Sequence, residues 1–218
     1  MADEGKPVEW LLGIAIQQDV VAGTVHLHMS TMIDNLANLV LSPEELVKSV
    51  LSKTPMLVTP LEKLKERTVP VEKFDYLSVV GSLLHLANCV RCDIAYAVGC
   101  LARFSLTPGP AHVKAVKRVV RYLYNTKNIG ITYYREVPVD KVDSLVIFEK
   151  GEHPLNNGKN LLRIFADSDY AMSHTMRSTM GIVIMLNGGP ISWTSVLGKT
   201  VATSTCEAEI NAAVSAVK

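Results

Sequence analysis

The stretch "MGIVIMLNGGPISWTS", Met180–Ser195, decides how the C-terminal part of the chain folds. Two apolar runs flank Asn187 and two glycines, a pattern typical of a β-hairpin with a tight turn. The preceding "NLLRIFAD", residues 160–167, predicts a further short strand, and "STCEAEINAAVSAVK", residues 204–218, repeats apolar residues at helical spacing. We therefore predict the order strand, strand, strand, helix. The helix should pack through one face, which comprises Cys206, Ile210, Ala213, Val214 and Val217.

The N-terminal part predicts a second, mixed unit. Two apolar runs, Trp10–Ile16 and Thr24–Met29, favour a hairpin. A helix capped by Ser30 or Thr31 should follow it. Another helix should begin at Ser42, with Pro43 in its first position. A three-helix pattern covers residues 74–125, and residues 136–160 are polar and turn-rich. The predicted fold class is α+β, with units at 1–135 and 161–218 and a linker at 136–160.

Composition excludes some classes of protein. Net charge is +1 over 218 residues, so no global field directs the chain to nucleic acid or membrane. We find neither a signal peptide nor about 18 consecutive apolar residues, and we expect an intracellular protein, cytoplasmic or nuclear, without a membrane partner. The four cysteines are then reduced. His85, Cys89 and Cys92 have a spacing that admits a metal site, although ordinary thiols are the simpler interpretation.

A stretch without acidic residues separates Asp93 from Glu136 and holds seven cations. On its helix, one stripe at i, i+3, i+4 and i+7 consists of Lys114, Lys117, Arg118 and Arg121. Like charges at this spacing destabilise an isolated helix, so for a stripe without nearby acids both contact with nucleic-acid phosphates and a merely solvated face remain open. We predict that this basic stripe binds nucleic acid.

Four carboxylates in the C-terminal part of the sequence lie at the end of a predicted strand or at the start of the predicted helix. Asp167 and Asp169 are two residues apart, so on a strand they share a face, as ligands of Mg²⁺ would; a simple turn is the alternative. Ser204 and Glu207 have the spacing of a helix-capping box, which gives Glu207 a structural role. Glu209 has no such role and lies at the edge of the predicted apolar face, where it can lean toward Asp167.

The sequence resembles the Pol polyprotein of copia-type long-terminal-repeat retrotransposons at the junction of reverse transcriptase and ribonuclease H. The matching segments, in the family's order, are "YLSVVGSLLHLANCVRCDIAYAV", "HVKAVKRVVRYLYNTKNIGITY", "FADSDYA", "RSTMGIVIMLNGGPISWTS" and "TSTCEAEINA". The resemblance implies that residues 1–135 form the end of the polymerase palm with a primer-grip-like hairpin, the thumb and the connection. Residues 161–218 would form the N-terminal half of a ribonuclease H-like domain.

By position, the resemblance makes Asp167 the first metal-binding aspartate and Glu209 the catalytic glutamate, with Asp169 and Glu207 as secondary candidates. It implies Mg²⁺ as cofactor and an RNA/DNA hybrid or duplex as partner. The polymerase's paired aspartates are absent, and the remaining ribonuclease H carboxylates would lie beyond residue 218, in a continuation of the polyprotein or in another subunit. We therefore expect hybrid binding without cleavage. Alternatives are a degenerate or domesticated nucleic-acid-binding protein and, remotely, an Asp-x-Asp nucleotide-sugar transferase.

Overall fold

The computed structural model describes residues 8–47, 53–57, 61, 74–135, 162–170 and 176–217. Within these residues the chain forms two antiparallel sheets and six α-helices, so the predicted α+β class is confirmed. The predicted linker lies outside the described residues. The helices are α1 Ser30–Val40, α2 Pro43–Val47, α3 Tyr76–Cys89, α4 Ala95–Ala102, α5 Pro110–Asn125 and α6 Thr205–Ala216. A short 3-10 helix, Cys92–Ile94, joins α3 to α4.

The first sheet has the strand order β1-β2-β3-β4, from β1 Trp10–Leu11, β2 Ile14–Asp19, β3 Thr24–His28 and β4 Ile131–Tyr134. The predicted single strand from Trp10 to Ile16 is wrong. Leu12 and Gly13 have positive φ angles, 51° and 83°, and reverse the chain between β1 and β2. The strand β4 was not predicted. It pairs with β3, which lies more than a hundred residues earlier in the sequence, and so brings the two ends of the first unit together.

A helical core supports this sheet. Buried side chains come from α1, α3, α4 and α5, among them Ile33, Leu83, Leu101, Val116 and Leu123. The helix α2 begins at Pro43 as predicted, but the predicted N-cap of α1 is wrong. Met29 occupies that position with its side chain buried, while the Ser30 hydroxyl lies 3.1 Å from His28 Nδ1 instead of capping the helix.

A buried arginine ties three segments of the helical unit together. The Arg91 side chain is fully buried and donates to both carboxylate oxygens of Asp93, at 2.9 and 2.7 Å. It also donates to the carbonyl and the hydroxyl of Thr126, at 3.0 and 2.7 Å, just after α5. Because every one of these bonds is charge-assisted, the pairing offsets the cost of burying the guanidinium.

The second sheet has the order β5-β6-β7, from β5 Leu162–Ser168, β6 Thr179–Leu186 and β7 Gly189–Leu197. Asn187 and Gly188 form the predicted turn with φ angles of 50° and 86°. The helix α6 lies against β5 and β6, but the predicted contact face is wrong, since the buried line is Ala208, Ala212 and Ala216. Apolar side chains project from α6 on all sides, and the small side chains of the alanine line allow the closest approach of the helix to the sheet.

The two sheets meet through β7 and the turn before it. Trp193 Nε1 donates to the carbonyl of Ala87 in the last turn of α3, at 2.7 Å. Tyr133 donates its hydroxyl to the Pro190 carbonyl at 2.7 Å, and the Tyr134 amide donates to the Asn187 carbonyl at 2.9 Å. No helix among the described residues is both long enough and apolar enough to cross a lipid bilayer.

Candidate nucleic-acid and metal sites

The end of β5 and the start of α6 lie at the same end of the second unit. Just beyond β5, the Tyr170 hydroxyl donates to the Thr203 carbonyl, one residue before the N-cap of α6, at 3.5 Å. The strand that carries Asp167 therefore ends near the first turn of the helix that carries Glu207 and Glu209. The structure brings the predicted acidic residues into one region.

Two of these carboxylates have structural hydrogen bonds. The Asp169 carboxylate accepts from the amide of Thr179, whose carbonyl in turn accepts from the Asp169 amide, and this exchange extends the pairing of β5 with β6. The Glu207 carboxylate accepts from the amide and hydroxyl of Thr203, at 2.7 and 2.6 Å. Hydrogen bonds from Thr203 hold the pKa of Glu207 below its usual range. The predicted cap is present as well, because the Ser204 hydroxyl accepts from the Glu207 amide at 3.1 Å.

Asp167 and Glu209 are exposed, and within the described residues neither makes a hydrogen bond or an ion pair. Glu209 lies on the flank of α6 opposite Asn211 and Ser215, which line a cleft toward β7, so it lies on the β5 side of the helix. Asp167 alternates with Ala166 and points to the sheet face opposite α6. An ion bound by both side chains would therefore sit at the edge of β5.

The donor set fits Mg²⁺ in kind but is small. Carboxylate oxygens suit this hard cation, which commonly takes one or two of them together with substrate phosphate and water. Among the described residues, no group of three or more His, Cys, Asp or Glu side chains is placed to hold a metal ion. His85, Cys89 and Cys92, the other metal site that the sequence admits, do not form such a group either in the described part of the chain. His85 Nδ1 lies 3.6 Å from Cys89 Sγ, and burial raises the pKa of the Cys92 thiol.

The basic stripe on α5 has an acidic neighbour that its own stretch of sequence lacks. Glu45 on α2 lies 4.0 Å from Lys117 Nζ and 3.4 Å from an Arg121 guanidinium nitrogen. Arg118 donates to the Thr54 hydroxyl at 3.2 Å, and Lys114 is exposed. Glu45 therefore offsets part of the positive charge of the stripe, while Lys114 is open to solvent.

The region near Asp169 includes residues that sequence reasoning missed. Tyr96 and Cys100 of α4 are close enough to Asp169 to feel its charge. Burial, reinforced by Cys100 and Asp169, raises the pKa of Tyr96 to about 12. No sequence signal links a helix of the first unit to the end of β5, because the contact depends on how the two sheets pack.

Comparison with known proteins gives the family. The chain is 34% identical over 190 residues to the "Retrovirus-related Pol polyprotein from transposon TNT 1-94" of Nicotiana tabacum. It is 32% identical over 199 residues to a "Putative transposon Ty5-1 protein" of Saccharomyces cerevisiae. The chain belongs to the copia-type retrotransposon Pol family. It is also 36% identical over 135 residues to the "Secreted RxLR effector protein 161" of Plasmopara viticola.

These matches differ in how much of each relative they cover. The Pol-family chain aligns over 79% of its own length with the tobacco polyprotein but spans 13% of that protein. For the yeast protein the shares are 89% and 55%, and for the effector 62% and 80%. No profile of a protein family and no solved structure matches the chain. The predicted resemblance is confirmed, and the transferase alternative has no counterpart among these three relatives.

Proposed function

We propose that this Pol-family chain binds RNA/DNA hybrid through the basic stripe on α5. The observation that carries the proposal is the line of four cations along one stripe of α5, where Lys114 is exposed and Glu45 is only loosely paired with Lys117 and Arg121, at 4.0 and 3.4 Å. A cation that is exposed or only loosely paired can exchange its partner for a phosphate oxygen, and the release of counterions then drives binding.

The second unit is proposed to be the first half of a ribonuclease H-like domain. Support comes from the order β5-β6-β7-α6, from the packing of α6 on β5, and from family membership. Asp167 and Glu209 would hold Mg²⁺, which when bound neutralises charge on phosphate oxygens. Asp169 and Glu207 position these ligands, because their hydrogen bonds fix the end of the strand and the start of the helix.

Binding without cleavage follows from the count of free carboxylates. Cleavage by two metal ions about 4 Å apart needs ligands that hold both ions on either side of the scissile phosphate. Asp167 and Glu209 are the two candidate carboxylates that make no structural hydrogen bond in the described part of the chain. We expect the hybrid to be bound and left intact.

The binding proposal is tested by salt titration with a fluorescently labelled RNA/DNA hybrid. Replacing Lys114 and Lys117 by Gln should weaken binding whatever the hybrid sequence, and should reduce the slope of log affinity against log salt by about 0.9 per lost phosphate contact. Replacement of two exposed cations outside the stripe, Arg135 and Lys199, by Gln is the control for net charge. If both double variants change the slope equally, the stripe does not bind phosphates.

The cleavage prediction has its own assay. The chain is incubated with the labelled hybrid and Mg²⁺, and the products are resolved by electrophoresis. We expect uncut hybrid with the parent and with Asp167→Asn. Cleavage by the parent that disappears in Asp167→Asn contradicts the expectation, and comparison of Glu209→Gln with Glu207→Gln then shows which glutamate acts in catalysis.

A further inference from the structure

Two histidines stand side by side on the face of the first sheet that points away from the helical core. His26 and His28 alternate with Leu27 on β3, so their side chains share this face. The ring centroids are 5.5 Å apart with an interplanar angle of 30°. For His28 the cross-strand neighbour on β2 is Ala15, and both residues border the same cleft.

Gly130 packs closely against the other side of the histidine pair. A Cβ at Gly130 would lie 3.0 Å from His26 Cε1 and 3.1 Å from His28 Cβ, and 2.1 Å from the backbone oxygen of Leu27. Any larger residue would therefore push β4 away from the two histidines. Room for a ligand lies on the β2 side, where Ala15, Gln17 and His28 line a cleft.

Both imidazoles are oriented through the same ring nitrogen. His26 Nδ1 lies 2.9 Å from the Thr132 hydroxyl, and His28 Nδ1 lies 3.1 Å from the Ser30 hydroxyl. A hydrogen bond at one ring nitrogen fixes the tautomer and the rotation of a histidine, and leaves the other nitrogen to bind a metal ion. His26 Nε2 is left to act as a donor atom to a metal ion, and His28 Nε2 can do so once it gives up its hydrogen bond with Gln17.

The spacing of the rings suits one shared ion. With Zn–N bonds of about 2.1 Å and a tetrahedral angle, the centroids of two imidazoles on one zinc ion lie roughly 5 Å apart. The side-chain nitrogen of Gln17 lies 2.9 Å from His28 Nε2. Rotation of the Gln17 amide by 180° would place its oxygen there, as a third ligand atom for the metal ion. His28 and Gln17 also line a cleft of about 410 Å³ that admits water.

We infer that His26 and His28 chelate a divalent transition-metal ion of the class that prefers imidazole nitrogen, Zn²⁺, Cu²⁺ or Ni²⁺. Solvent and Gln17 complete the coordination. The site lies on the first sheet and its ligands differ in kind from the carboxylates proposed for Mg²⁺. It does not depend on the proposed function.

The test is titration of the full chain with Cu²⁺ and Zn²⁺, followed by calorimetry and, for Cu²⁺, by electron paramagnetic resonance. We expect one site whose copper spectrum shows coupling to two nitrogens. His26→Gln and His28→Gln should each weaken affinity at least tenfold and leave coupling to one nitrogen. His85→Gln is the matched control, because His85 and Cys89 form the other close pair of soft ligands described in the chain.

A gain-of-affinity variant protects the test against loss of folding. Gln17→Glu places a carboxylate beside His28 and should tighten Zn²⁺ binding at least tenfold, with circular dichroism confirming the native fold. Unchanged affinity in His26→Gln, His28→Gln and Gln17→Glu overturns the assignment. Loss of binding in His85→Gln alone overturns it too, since the ion then occupies α3.

Discussion

Replacing Glu45 by Gln should strengthen the binding of nucleic acid by the α5 stripe. The Glu45 carboxylate is the close acidic partner of Lys117 and Arg121, at 4.0 and 3.4 Å. It also accepts from the Ser42 amide at 2.9 Å, while the Ser42 hydroxyl accepts from the Glu45 amide at 3.2 Å. Gln serves as well as Glu in such a capping box, so the substitution removes the charge and retains the cap.

The magnitude follows from the two cations, Lys117 and Arg121, that lose the Glu45 carboxylate. Each phosphate contact contributes about 0.9 to the slope of log affinity against log salt, so two new contacts steepen it by at most about 1.8. Between about 50 and 200 mM salt, the affinity of the variant should therefore fall up to about tenfold further than that of the parent. The lost ion pairs are partly exposed and cost about 1 kcal/mol of unfolding free energy or less.

The assay is fluorescence anisotropy with a labelled hybrid over that salt range, and thermal unfolding monitors the fold. Glu44→Gln is the matched control, since Glu44 lies in the same first turn of α2, is exposed and carries the same charge. Both variants change net charge equally, so only a local effect separates them. If Glu45→Gln and Glu44→Gln give the same slope, Lys117 and Arg121 do not reach phosphates.

Three further predictions concern stability. Burial alone would raise the pKa of Asp93. The hydrogen bonds and the charge of the buried Arg91 guanidinium lower this pKa by more, so the net shift is downward. The pair therefore stabilises the fold fully above the ordinary aspartate pKa, and less as the pH falls through the lowered value. Asp93→Asn should therefore cost about 3 kcal/mol in urea unfolding at neutral pH and less in acid. Ser204→Ala should cost about 1 kcal/mol by thermal unfolding, because the cap of α6 is lost, and an unchanged melting temperature would contradict the role of the cap. Gly189→Ala should cost about 1–3 kcal/mol, since its Cβ would lie 2.7 Å from the ring of Tyr133, whereas Gly81→Ala, with no atom within 4 Å, should not destabilise the fold.

Features set by a few neighbouring residues were predictable from the sequence. The turn at Asn187 and Gly188 needs two residues that tolerate positive φ, and that requirement is written in the residues themselves. The cap of α6 by Ser204 and the start of α2 at Pro43 are likewise local hydrogen-bond and dihedral choices. Such features need no knowledge of the rest of the fold.

Features set by packing were not predictable in this way. The short strand Ile131–Tyr134 forms because β3 offers it a free edge, and neither length nor periodicity distinguishes it from a loop. The contact face of α6 was misassigned because apolar side chains such as Ile210 and Val214 stay largely exposed, while the alanine line is buried. Periodicity identifies a helix, but tertiary packing selects its buried face.

The candidate sites likewise combine features that the local sequence determines with features that packing determines. Asp167 and Glu209 were selected from motif position, and the structure adds that Asp169 and Glu207 have structural hydrogen bonds. The neutralising role of Glu45 could not be foreseen, because it lies 72 residues before Lys117 in sequence and reaches the stripe only through the packing of α2. Charge counts along a sequence therefore overstate the field of a helix that other elements approach.

The contact between the β6–β7 turn and β4 also bears on how this family can vary in length. Leu162 of β5 pairs with Leu186, and the carbonyl of the adjoining Asn187 accepts from the amide of Tyr134 in β4. The end of β4 and the start of β5 are thus fixed beside each other by main-chain bonds to the β6–β7 hairpin. Closing a loop between two fixed points costs only about 0.6 kcal/mol more for each doubling of its length. We therefore expect the way in which the two sheets meet to be insensitive to how many residues separate β4 from β5.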